Sequence, residues 1–133
     1  MDFTFSEEQN MLKDSVTRFV QDNYDFDSRC KIAASAEGFS REHWNTFAEL
    51  GWLSIPFSEE QGGFGGGVVD NMLVMEELGK ALVLEPYLAT VLLFGGLLSK
   101  SNNTVLQAQY IASIIDGSLQ GAFAYTEPQS RFA

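Results

Sequence analysis

Few residues of this chain have the types and spacing that chemistry needs. Paired carboxylates stand at Glu59-Glu60 and Glu76-Glu77. Such pairs can divide general-acid from general-base work or hold a metal ion. Adjacent positions on a helix do not share a face, however, and no histidine lies near either pair. Both pairs read as solvated or helix-end acids. His43 is the one histidine and Cys30 the one cysteine. That count excludes an internal disulfide and a cysteine-rich metal site, and leaves no credible Ser-His-Asp or Cys-His arrangement. Cys30, between Arg29 and Lys31, has neighbours that lower a thiol pKa, but it reads as a plain helix-end cysteine. No catalytic residue and no metal ligand is assigned.

The remaining candidate is the loop Glu59-Glu60-Gln61-Gly62-Gly63-Phe64-Gly65-Gly66-Gly67. Glycine at this density marks a backbone that bends sharply or approaches another surface closely. A phosphate cradle would need the Lys-Ser/Thr of a P-loop or a complete G-x-G-x-x-G. Neither is present, and the two preceding carboxylates would repel phosphate. The loop therefore reads as a tight turn at a domain surface.

The elements that position these residues are helices. Ser6 followed by Glu7, Glu8 and Gln9 is a capping box, and Met11, Leu12, Val16, Phe19 and Val20 share one face. This helix is expected to fade over residues 25–28. Ser40 caps a second helix with Phe39 as its staple, Trp44 and Phe47 inward and Gly51 as its C-terminal stop. Residues 52–56 read as a buried extended connector, because Pro56 biases Ile55 away from helix. A third helix is expected over residues 70–84. Glu85-Pro86 breaks it and opens a fourth, apolar on every side through Leu98 and so either central or covered by a partner or ligand. A fifth follows over residues 105–115, stopped at Asp116-Gly117. Residues 122–126, Ala-Phe-Ala-Tyr-Thr, read as a short strand closed by Pro128. The expected fold is an all-α, orthogonal or up-down bundle of about five helices, ending in the first strand of a β domain that lies beyond the chain. A lone strand has no partner for its backbone groups, which suggests truncation.

At 133 residues the chain suits one domain. Eighteen acidic against eight basic residues give a net charge of −10. No basic stripe can neutralise phosphates, which argues against nucleic acid and anionic membranes as partners. Met1-Asp2-Phe3-Thr4 does not resemble a signal peptide, and the apolar run 86–98 is shorter than the roughly 20 residues that span a bilayer. A cytoplasmic protein is expected.

In order, the segments Phe5-Ser6-Glu7-Glu8-Gln9, Phe47-Ala48-Glu49-Leu50-Gly51-Trp52, Pro56 with the glycine loop, Glu76-Glu77-Leu78-Gly79, Pro86-Tyr87-Leu88 and Ala122 to Pro128 resemble the amino-terminal helical domain of the acyl-CoA dehydrogenase family. Glu85-Pro86-Tyr87-Leu88-Ala89-Thr90 with Glu127-Pro128-Gln129-Ser130-Arg131-Phe132 is most similar to small subunits of pimeloyl-CoA dehydrogenases. The resemblance implies residues 1–118 as the helical domain and 119–133 as the start of a middle β domain. It implies FAD as cofactor, an acyl-CoA substrate, and the remaining domains or a partner subunit as structural partners. In such an enzyme a carboxylate from a carboxy-terminal bundle removes the α-proton of the thioester and the β-hydride passes to the flavin. An electron-transfer flavoprotein then reoxidises it. Carried over residue by residue, Tyr125 and Thr126 would meet the flavin, and Ala89, Thr90 and Leu93 would border the acyl tail. The fragment itself would lack the catalytic base and be inactive. Gln129 to Phe132 depart from the small, glycine-rich family pattern, which fits a divergent subunit of a hetero-oligomer. The alternative is a non-catalytic helical interaction module derived from the same family.

Overall fold

The computed structural model describes residues 4–126. Helix α1 (Glu7–Asn23) opens as its sequence requires. Ser6 Oγ accepts from the Gln9 amide at 3.2 Å, and Gln9 Oε1 accepts from the Ser6 amide at 3.1 Å, which satisfies two orphan donors of the first turn. Helix α1 has ended by residues 25–28, as expected, but a second helix, not expected from the sequence, opens there. Asp25 accepts from the Ser28 amide and caps a short helix α2 (Phe26–Ala33). The small polar residues there are a cap rather than a fraying end.

Helix α3 (Arg41–Glu49) is capped by Ser40 and stopped by Gly51 in the left-handed region, φ 77°. The connector after it is buried as expected, with Trp52, Leu53 and Ile55 all in the core. Its conformation differs from the sequence expectation: Trp52–Ser54 is a 3-10 turn and Ile55 is right-handed helical, despite Pro56. Burial of Trp52 and Leu53 against α3 overrides the local preference of a pre-proline residue.

Helix α4 (Val68–Lys80) packs along α1 and ends four residues earlier than the expected Leu84. The Val83 amide donates to Leu78 O at 3.1 Å and the Leu82 amide to Gly79 O at 3.1 Å. This is a Schellman end, in which Leu82 occupies the left-handed position at φ 53°. The apolar segment that follows is π-helical over Leu88–Gly95 and passes directly into α5 (Gly96–Lys100). Helix α6 (Thr104–Ile115) then packs against both this segment and the 3-10 turns.

The core is aromatic. Phe19 meets Phe47 and Trp52 edge-on with centroids 5.2 and 5.6 Å apart, an arrangement worth about 0.5–1.5 kcal/mol per pair beyond area burial. Trp44 Nε1 donates to Gly117 O at 3.0 Å, and Tyr87 O–H donates to Trp52 O at 3.1 Å, so these two buried rings have their polar atoms satisfied.

Residues 122–126, expected as a lone strand without a partner in the chain, form no ladder among the described residues. A β-ladder needs a second strand, and the chain from Thr4 to Thr126 supplies helices alone. The Glu127 to Phe132 motif lies outside the described residues.

Candidate functional site

The glycine loop turns back on its own approach. Gly63 N donates to Ser58 O at 2.9 Å, Gly65 N to Phe57 O at 2.7 Å and Gly66 N to Ile55 O at 2.7 Å. A Cβ on Gly63 would overlap the backbone carbonyls of Phe57 and Ser54, so glycine is required there for close approach. Its amides are occupied within the turn and not aimed at a ligand. Glu59 and Glu60 are exposed. Glu77, by contrast, is buried rather than solvated. Lys80 Nζ lies 2.6 Å and Lys13 Nζ 3.8 Å from its Oε1. Burial raises the Glu77 pKa, but the hydrogen bonds from Lys80 and Thr17 and the charges of Lys80 and Lys13 outweigh it and hold the carboxyl below its ordinary value.

A second buried carboxylate organises the approach to the π-helical segment. Glu85 accepts hydrogen bonds from Tyr24 O–H and, at 3.0 Å, from the Ser40 amide. His43 Nδ1 stands 3.5 Å from the same carboxylate. Burial, together with the hydrogen bond to Glu85, pushes the Tyr24 hydroxyl pKa up. Three elements therefore meet at Glu85: the end of α1, the start of α3 and the turn that begins the apolar segment.

Beyond Glu85, a cavity of about 400 Å³ is lined by Phe39, Leu84, Ala89, Thr90, Gln120 and Ala122 among others. Its charged rim residue, Glu37, is paired with Arg41 at 2.8 Å. Such a groove offers shape and apolar surface rather than an acid, base or nucleophile.

Two of the three residues expected at an acyl tail, Ala89 and Thr90, line this cavity. Thr90 is fully buried, and its hydroxyl donates to Gly121 O at 3.0 Å and accepts from Gly121 N at 3.2 Å. Leu93 does not line the cavity; it is 47% exposed, on the outside of the segment with Leu88 and Leu97. Tyr125 and Thr126 lie on the exposed limb after Gly121. The Tyr125 ring is 73% exposed and stacks on Phe123 at 6.2 Å. Gly121 itself was not evident from the sequence. A Cβ there would overlap the Phe94 ring, and only a neighbour distant in sequence reveals that constraint.

Similarity to known proteins follows the same residues. The model of the acyl-CoA dehydrogenase N-terminal domain matches residues 6–118. The chain belongs to the acyl-CoA dehydrogenase family. It is 34% identical over 131 residues to acyl-CoA dehydrogenase FadE12 of Mycobacterium tuberculosis, covering 96% of this chain and 33% of that protein. Among solved structures, the ChsE4-ChsE5 complex of Mycobacterium tuberculosis superposes with a TM-score of 0.82 at 30% identity, over 90% of this chain and 33% of that one. The FAD complex of PigA superposes with a TM-score of 0.79 at 30% identity, over 98% of this chain and 34% of that one. The chain thus spans about a third of the length of these relatives. Among the described residues, no helix is long and apolar enough to cross a membrane.

Proposed function

We propose that this chain is the N-terminal helical domain of a cytoplasmic, FAD-dependent acyl-CoA dehydrogenase, with residues 1–118 forming that domain and 119–133 opening the next. The observation that supports it is the juxtaposition at Gly121, within a chain of this family. The apolar cavity carrying Ala89 and the aromatic limb carrying Tyr125 adjoin the same glycine.

Within that reading, Ala89 and Leu93 border the acyl tail, Ala89 from the cavity and Leu93 from the outer face toward the domains that follow. Tyr125 and Thr126 meet the flavin. The fit is chemical: an exposed aromatic ring, a hydroxyl and a backbone free of any ladder among the described residues can meet the edge and face of a planar ring system. The bound flavin supplies the acceptor for the substrate β-hydride. This chain's own residues exclude water along an apolar wall, orient the tail and hold the cofactor edge; none of them serves as the base, so the fragment alone is inactive. Pimeloyl-CoA is the first substrate to try, with an electron-transfer flavoprotein as electron acceptor and a partner subunit completing the site.

The test is steady-state oxidation of acyl-CoA thioesters of graded tail length by the complete gene product. Ala89→Leu should lower kcat/KM for the longest accepted tail by about tenfold while sparing short ones, since a blocked apolar subsite is worth about 1–3 kcal/mol. A profile that keeps its shape in both Ala89→Leu and Leu93→Trp would remove the acyl tail from this wall.

A further inference from the structure

We propose that Thr90 is a positioning residue. Through its two hydrogen bonds to Gly121 it sets where the limb of residues 122–126 leaves the bundle, and so where Tyr125 and Thr126 stand against the flavin. This rests on the reading of those two residues given under Proposed function.

The geometry is specific to a hydroxyl. Thr90 Oγ1 is at once donor to Gly121 O at 3.0 Å and acceptor from Gly121 N at 3.2 Å, a pairing that valine of the same shape cannot make. Thr90 is fully buried, so water does not compete for its hydroxyl. The backbone that carries it is also fixed: its amide donates to Pro86 O at 2.9 Å, next to Glu85 with its partners Tyr24 and Ser40. On the limb side, Gly121 meets the Phe94 ring so closely that a Cβ would overlap it. The preceding residues are held as well, with the Leu119 amide on Ser113 O at 2.9 Å and the Ser118 amide on Asp116 Oδ1 at 2.8 Å. Residues 122–126 of the limb are exposed. The last anchored point before the aromatic pair is therefore the Thr90–Gly121 contact, and the threonine that sequence reasoning assigns to the substrate has its hydroxyl turned to the backbone.

The experiment compares Thr90→Val, Thr90→Ser and Gly121→Ala in the complete gene product, reading the FAD dissociation constant separately from KM and kcat. Thr90→Val should weaken FAD binding roughly five- to tenfold, the equivalent of one or two hydrogen bonds. KM for acyl-CoA should stay within about twofold. Thr90→Ser, which restores the hydroxyl, should return FAD affinity to within about twofold of wild type, and Gly121→Ala should mimic the valine variant. Unchanged FAD affinity in Thr90→Val overturns the inference, and a raised KM beside it would assign the hydroxyl to the substrate. Amide exchange in the 133-residue chain reads the clamp without catalysis: Gly121 should exchange faster in Thr90→Val and slowly in Thr90→Ser. Equal exchange in the three proteins overturns the clamp. A wild-type gene product that binds no flavin, with Gly121 slow to exchange, overturns the flavin assignment and leaves the fault in that reading rather than in the contact.

Discussion

At Tyr24 one hydroxyl serves two partners. Its O–H donates to Glu85, and its oxygen accepts from the Leu84 amide at 3.2 Å. Removing it leaves a buried carboxylate short of a donor and an amide short of an acceptor, which costs about 1–3 kcal/mol. Tyr24→Phe should lose that much in denaturant unfolding, with the slope unchanged. Gly63 presents the opposite case, a residue whose value is what it lacks. Gly63→Ala forces a methyl against the Phe57 and Ser54 carbonyls, and overpacking against backbone should cost about 1–3 kcal/mol in the same measurement. The glycine density was legible in the sequence as a tight turn, and the turn is what those glycines build. The Glu85 node was not: its partners Tyr24 and Ser40 lie 61 and 45 residues away, and only the fold brings them together.

Among the elements, helix starts were the most readable feature, because Ser6 and Ser40 cap through side chains next to them in sequence. Asp25 caps by the same device, but among Asp25, Asp27 and Ser28 the sequence shows only the end of α1 and not the start of α2. The π-helical register of Leu88–Gly95 leaves no trace in an all-apolar run, where every spacing is apolar. Leu82 was hidden too, since a Schellman stop normally announces itself by glycine. That departure yields a prediction: Leu82→Gly should raise stability by about 1 kcal/mol, by relieving a left-handed side-chain residue. The α1–α4 pair carries a pH dependence through Glu77. Its folded pKa lies below the ordinary 4.5, so the unfolded chain takes up the proton first as pH falls. The stabilisation is complete above 4.5 and is lost as pH drops through the lower folded value. Unfolding titrations across that acid range should show the loss in the wild type and a shallower one in Glu77→Gln.

For the molecule as a whole, the bundle and its family were legible in an ordered set of short segments. The terminal strand forms no ladder among the described residues, because its partner strands would have to come from elsewhere. What the fold adds is exposed apolar surface. Leu88, Leu93 and Leu97 on the apolar segment, and Phe123 and Tyr125 on the limb, are all exposed, as surfaces that meet further domains would be. The central claim is that this segment and limb belong to a flavin-dependent acyl-CoA dehydrogenase. An anaerobic absorbance titration of the complete gene product, with its partner subunit, tests that most directly. Adding pimeloyl-CoA or a straight-chain acyl-CoA should bleach the oxidised-flavin band. A protein that carries no flavin, or whose flavin band is untouched by every acyl-CoA tried, would contradict the account.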